Sequence, residues 1–136
     1  MKMRIDVGIV EIEDREMQEE LGRIVHRAAL KLEKNIKAVI REGGIPYIPN
    51  APATIRRKGS SHPLIDTGAM MRSVTADLGK ASAVIYVRAP YASYNEYGAP
   101  ERNVPKRPFV MPAINRTIKE MRAEGIELTF TPARKP

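Results

Sequence analysis

Apolar residues change their spacing several times along this chain, and each change marks an element. From Met3 to Val10 they alternate with polar ones (Ile5, Val7 and Ile9 against Arg4, Asp6 and Gly8), the period of a half-buried strand. From about Asp14 the period lengthens. Met17, Leu21, Ile24, Val25, Ala28, Leu32, Ile36, Val39 and Ile40 recur at three and four. That spacing predicts one face of a helix of about 29 residues, a rod of roughly 43 Å. Glu16, Glu19 and Glu20 near its start, with Lys37 and Arg41 near its end, suit the helix dipole. Gly43-Gly44 stops it. A rod of this length in a small protein packs against a sheet or a neighbouring subunit.

Periodicity then disappears. Residues 43–63, GGIPYIPNAPATIRRKGSSHP, combine prolines, glycines and a basic run with no acid, and predict a long mobile loop. Asp66-Thr67-Gly68 opens a short helix, with Asp66 or Thr67 as N-cap and Met70, Met71 and Val74 as core contacts. Val74–Leu78 and Ala83–Ala89 read as strands joined by a turn at Gly79-Lys80. Tyr91–Tyr97 predicts a short helix closed by Gly98, and Ala99–Pro108 a proline-rich loop. Pro112 suits the first turn of a last helix, striped by Ile114, Ile118 and Met121 and ended by Gly125. IELTFT adds an edge strand before a basic tail, residues 133–136. The expected fold class is α+β: a small antiparallel β-sheet packed against one long N-terminal helix and a shorter C-terminal helix, with long mobile loops.

Composition narrows the function classes. At 136 residues the chain is expected to form a single domain, 1–136, that folds without staples. It has no cysteine, so disulfides and thiolate metal sites are excluded. No apolar run approaches the ~20 residues of a membrane span, and the N-terminus lacks a signal peptide's apolar core. These features predict a protein made in a reducing cytoplasm, with no membrane partner. The net charge of +7 is uneven. Residues 1–42 hold nine basic and nine acidic side chains, whereas 43–136 hold fourteen and seven. Such an excess either keeps a protein soluble or meets nucleic acid or an acidic partner.

Candidate chemistry is sparse. Leu64-Ile65-Asp66-Thr67-Gly68-Ala69 has the form in which aspartic proteases present a catalytic carboxylate, and a dimer would bring two together. Those enzymes carry the triplet between strands. Here a helical sequence follows it and a long amphipathic helix precedes it, so a helix N-cap is the simpler reading. His26 and His62, the only histidines, have no second ligand or nucleophile at useful spacing. No catalytic, metal or cofactor site is expected. Arg56-Arg57-Lys58 is a short basic run suited to phosphate contact but unaccompanied by a nucleic-acid-binding motif. Tyr91, Tyr94 and Tyr97 would share one side of a helix, either for packing or as interface anchors.

Three segments, LIDTGAMMRS (64–73), YASYNEYG (91–98) and RPFVMPA (107–113), occur in an order and spacing that resemble the tailed-phage virion-morphogenesis and tail-completion family. Thr67-Gly68, Met70 or Met71 and Ser73 fill that family's TG-x-L-x-x-S pattern. Tyr91-Ala92, Glu96 and Gly98 fill YA-x-x-x-E-x-G, while Arg107-Pro108-Phe109 and Pro112-Ala113 fill RPF-x-x-PA. A Met pair stands where Leu is usual, a volume-conserving change. The preceding PNAPATIRRKGSSHPL is similar to the loop of the Mu-like branch. The resemblance implies a structural, non-enzymatic role in head-tail joining or tail completion, through a ring of identical subunits around the DNA channel. Implied partners are further copies of itself, the phage connector, neck or tail-tube proteins, and DNA in the channel. The implied location is the host cytoplasm during assembly and the virion afterwards. In this reading Arg56, Arg57 and Lys58 lie on an assembly- or DNA-facing loop. Phe109 is buried, and Arg107 pairs with Glu96 or Asp66. A small DNA-binding module and a dimeric protease using Asp66 are the competing classes.

Overall fold

The computed structural model describes residues 3–9, 18–44, 68–102 and 105–134. In chain order these form β1 (Met3–Ile9), α1 (Gln18–Glu42), α2 (Ala69–Arg72), β2 (Val74–Leu78), β3 (Ala83–Val87), α3 (Ala92–Tyr97), a 3₁₀ turn (Pro100–Arg102), α4 (Val110–Ala123) and β4 (Leu128–Arg134). The fold is α+β. Its strands make one antiparallel sheet in the order β2-β3-β1-β4. The loop expected at 43–63 lies outside the described residues apart from Gly43 and Gly44, as do Asp14 to Met17 at the expected helix start. No described helix is long and apolar enough to cross a membrane.

Period-two alternation decides which face of the sheet is covered. Met3, Ile5 and Val7 on β1 register with Val87, Ile85 and Ala83 on β3, and all six are buried. α1 lies over β1, β2 and β3, and α4 packs alongside α1. The three- and four-residue spacing of α1 puts Val25, Ala28, Ala29, Leu32, Ile36, Val39 and Ile40 into this core, joined by Val110, Ala113, Ile114 and Met121 from α4. The opposite face carries Arg4, Asp6, Thr75, Asp77, Val84, Tyr86, Thr129 and Thr131, none of them buried. Arg4 bonds Asp6 at 2.9 Å, and the guanidinium of Arg88 sits 4.4 Å from the Tyr86 ring centre. The hydrogen bond and charge of Asp6 raise the Arg4 pKa above its usual value. An antiparallel sheet with one apolar and one polar side needs only one helical layer.

α1 and α4 run antiparallel and are laced by polar side chains. Arg27 bonds Glu124 (2.8 Å), Lys31 bonds Glu120 (3.4 Å) and Arg116 bonds Glu42 (3.1 Å). Between them Asn35 Nδ2 donates to Thr117 Oγ1 (2.9 Å) and Glu120 Oε1 (3.0 Å), and Thr117 Oγ1 donates to the Ala113 carbonyl (2.8 Å). At its C-terminus α1 ends as predicted, with Gly43 N–H on the Ile40 carbonyl and Gly44 N–H on that of Val39.

Gly22 is an unpredicted feature of α1. A Cβ there would lie 2.6 Å from the Lys80 carbonyl oxygen, so the β2–β3 turn rests in a notch that only glycine leaves open. One turn further along the helix, His26 Nε2 hydrogen-bonds the Gly79 carbonyl of the same turn. Glycine in a helix interior costs about 1 kcal/mol relative to alanine; close seating of the turn offsets that cost.

Two expectations change. The N-cap position of the short helix α2 was expected at Asp66 or Thr67 and falls one residue or more later. Its N-cap is Gly68, with no side-chain cap bond, and the two expected residues lie outside the described ones. The basic tail is not separate either, since β4 continues through Pro132 and Ala133 to Arg134. The hydrogen-bond alternation explains why Pro132 does not stop it. Arg88 N–H donates to the Ser73 carbonyl (3.2 Å) and Gly79 N–H to that of Ser82 (2.9 Å), so Thr75 and Asp77 also turn their backbone groups toward β3. Carried across the registers, Arg4, Asp6 and Gly8 face β4, opposite Ala133, Thr131 and Thr129. Pro132 therefore falls at a position whose backbone groups point to the outer edge, where a missing N–H breaks no ladder bond.

Candidate functional site

The three motif segments come together in one junction beside the helical layer. Ser73 Oγ donates to the Met70 carbonyl (2.7 Å), closing α2 onto the start of β2. Met70 is buried, and its sulfur accepts a weak contact from Asn95 Nδ2 at 3.7 Å. The Asn95 carbonyl in turn accepts the Arg107 backbone N–H at 2.7 Å. A residue from each segment is thus tied to the next.

Glu96 holds the centre. It is only 2 % exposed, on the buried side of α3 with Ala92 and Ser93. Its Oε1 accepts the N–H groups of Phe109 (2.8 Å) and Val110 (2.7 Å), and its Oε2 that of Met111 (3.1 Å). These are the unpaired donors at the start of α4, whose N-cap, Phe109, has no side-chain acceptor of its own. The next residue, Pro112, has no N–H to satisfy. One carboxylate and one proline account for the whole helix start, and the negative charge sits at the positive end of the helix dipole. Glu96 is thus a remote helix cap.

The contacts that Glu96 makes are with backbone donors, where an ion pair with Arg107 was expected. Arg107 is itself buried, and Asp66, the other expected partner, lies outside the described residues. Phe109 is fully buried, as expected. Pro108 is half-buried beside it. Gly98 ends α3 at φ 75° and ψ 166°, a region only glycine occupies readily, and its α-carbon faces the Lys106 backbone N, 3.3 Å from where a Cβ would stand. Of the tyrosine row, Tyr97 packs on the core, Tyr94 is half-buried and Tyr91 is 43 % exposed. Ser93 Oγ is buried, with no hydrogen-bond partner among the described residues. Arg56, Arg57, Lys58 and Thr67 lie outside the described residues.

Chemically, the junction braces backbone. Its one buried carboxylate already accepts three N–H groups and is enclosed, so it is badly placed to take a proton from a substrate. Among the described residues no group of three or more His, Asp or Glu side chains could hold a metal ion. A sequence signal for the Glu96 cap did exist: α4 begins at Phe109-Val110 with no Ser, Thr, Asp or Asn at its N-cap, so its donors needed a partner from elsewhere.

No protein-family model matches the chain, and no solved structure matches it. The chain is similar to an uncharacterized protein, MJ0331, of Methanocaldococcus jannaschii, at 23 % identity over 116 residues that span 79 % of this chain and 86 % of that one.

Proposed function

We propose that this protein is a structural subunit of a tailed-phage-type particle, acting in head-tail joining or tail completion by assembling with copies of itself and with connector or tail-tube proteins. The observation that carries this reading is the convergence of the three motif segments on a single junction. Residues 68–73, 91–98 and 107–113 are used to lock α2, α3 and the start of α4 to one another, with Glu96 as the pin. Side chains spent in this way position surfaces. They suit a subunit whose output is a shape presented to neighbours. The resemblance of these segments to the virion-morphogenesis family supplies the biological setting.

The test uses the purified chain alone and mixed with connector and tail-tube proteins from the same genome. Light scattering and negative-stain electron microscopy should then find a ring or a defined complex. If the chain enters no assembly with any of these proteins, the proposal fails. Acid-dependent peptide cleavage abolished by Asp66→Asn would replace it with the protease reading.

A further inference from the structure

The N-terminal part of the chain is neutral in sum but sorted in sequence. Residues 11–20 hold six acids and one base, whereas residues 23–41 hold six bases and one acid. A helix dipole favours such sorting only in the first and last turns, and Lys34 and Lys37 stand outside them. Arg23, Arg27 and Lys31 are balanced by Glu20, Glu124 and Glu120. The positive excess of α1 therefore falls on its C-terminal half. There Leu30, Glu33, Lys34, Lys37 and Arg41 line a surface hollow of about 330 Å³. Spacings of three and four set them in one row, about 16 Å long. Glu33 is held by Lys37 at 3.1 Å, and Lys34 has no partner among the described residues. Leu30, at one end of the row, is 51 % exposed.

We propose that this row receives residues 11–20, the acidic stretch leading into α1, from a second copy of the chain. The inference deepens the self-assembly reading above and rests on it. Charge complementarity names the occupant. Glu11, Glu13, Asp14, Glu16 and Glu19 bring carboxylates to a site whose cations are Lys34, Lys37 and Arg41. Glu19 is exposed and has no partner among the described residues. Ile12, set among these acids, is an apolar counterpart for Leu30. Nucleic acid fits less well, because Glu33 would face its phosphates and Leu30 would meet no apolar group.

The stretch cannot cover the row of its own chain. Residues 10–17 lie outside the described ones, but each is within four positions of Ile9 or Gln18, hence within about 14 Å of one of them. Lys37 and Arg41 are about 28 and 35 Å along the helix from Gln18. Ile9 lies at the same end of α1 as Gln18, since nearby Val7 registers with Ala83, beside the turn seated on Gly22. The contact must therefore be made between copies. One end of a helix on the opposite end of the next is a heterologous contact, which builds rings or open chains. A closed antiparallel pair would instead set the middle of α1, with Arg27, against its own copy.

In about 50 mM salt, sedimentation from ~10 μM to ~1 mM should show association beyond a dimer, and about 1 M salt should reverse it. Lys34→Glu/Lys37→Glu and Glu16→Lys/Glu19→Lys should each weaken association at least ~10-fold. Mixed in equal amounts, the two variants should bind one another, because one keeps an intact acidic stretch and the other an intact basic row. If Glu16→Lys/Glu19→Lys does not fold, a synthetic peptide of residues 10–20 reads the same contact. It should bind the native chain and lose at least ~10-fold against Lys34→Glu/Lys37→Glu. A native chain that stays monomeric, association indifferent to salt or to Lys34→Glu/Lys37→Glu, or folded variants that ignore one another would each overturn the inference. A ring or connector complex that forms equally well with Lys34→Glu/Lys37→Glu would overturn it while leaving the assembly reading in place. Failure to enter any assembly removes both.

Discussion

The start of α4 and the seam between α1 and α4 are held by the same kinds of atoms under opposite conditions. At the helix start one carboxylate, 2 % exposed, takes three backbone N–H groups. Along the seam Arg27–Glu124, Lys31–Glu120 and Arg116–Glu42 join side chains that remain a third or more open to water. Water can replace either partner in these three pairs, so each is worth between nothing and about 1 kcal/mol. Inside the junction no water stands ready, and a donor deprived of its acceptor bears its full desolvation cost, about 1–3 kcal/mol each. Location, more than the number of charges, decides which network holds the fold together.

Substitutions can test this contrast in descending order of effect. Glu96→Ala should cost about 3 kcal/mol in chemical denaturation, because it orphans the buried donors of Phe109 and Val110 and the part-buried donor of Met111 together. A loss below about 1 kcal/mol would remove Glu96 as the pin. Gly98→Ala should cost about 2 kcal/mol, from a strained φ and a Cβ crowded by the Lys106 backbone, and thermal melting reads it directly. Thr117→Val keeps shape but removes the acceptor for Asn35, the one deeply buried link of the seam, and should cost about 1 kcal/mol. Glu124→Gln should change stability by less than about 0.5 kcal/mol, and less still in high salt. If Glu124→Gln proved as costly as Glu96→Ala, the contrast between the two regions would collapse.

The sequence disclosed this architecture unevenly. α1, α4, β1 and β3 were legible because local period reports which face each element buries. Met3, Ile5 and Val7 alternate into the core, and the α1 stripe from Val25 to Ile40 fills it. The strand order was not legible, since nothing near Met3 indicates that β4 will lie beside it. Glu96 reads in sequence as a partner for Arg107, and its true partners are backbone atoms that any residue would supply. Gly22 reads as an ordinary weak spot in a helix, because its reason, the Lys80 carbonyl, is 58 positions away. Pro132 reads as a strand terminator until the outward direction of its nitrogen is known. In each case the missing information was a contact between distant residues.

Pairing of β1 with β4 sets Met3 opposite Arg134 and Ile9 opposite Leu128. The first and last described residues therefore leave the sheet at the same end of one ladder. A pull applied between them loads that ladder one hydrogen bond at a time, as in opening a zipper, whereas a pull along opposite ends of the strands would load every bond at once. The protein should peel open at low force when held by its ends in an optical trap. It should resist far better when held at Ile9 and Arg134, at opposite ends of that ladder. In any assembly under tension, load is best carried along the strands.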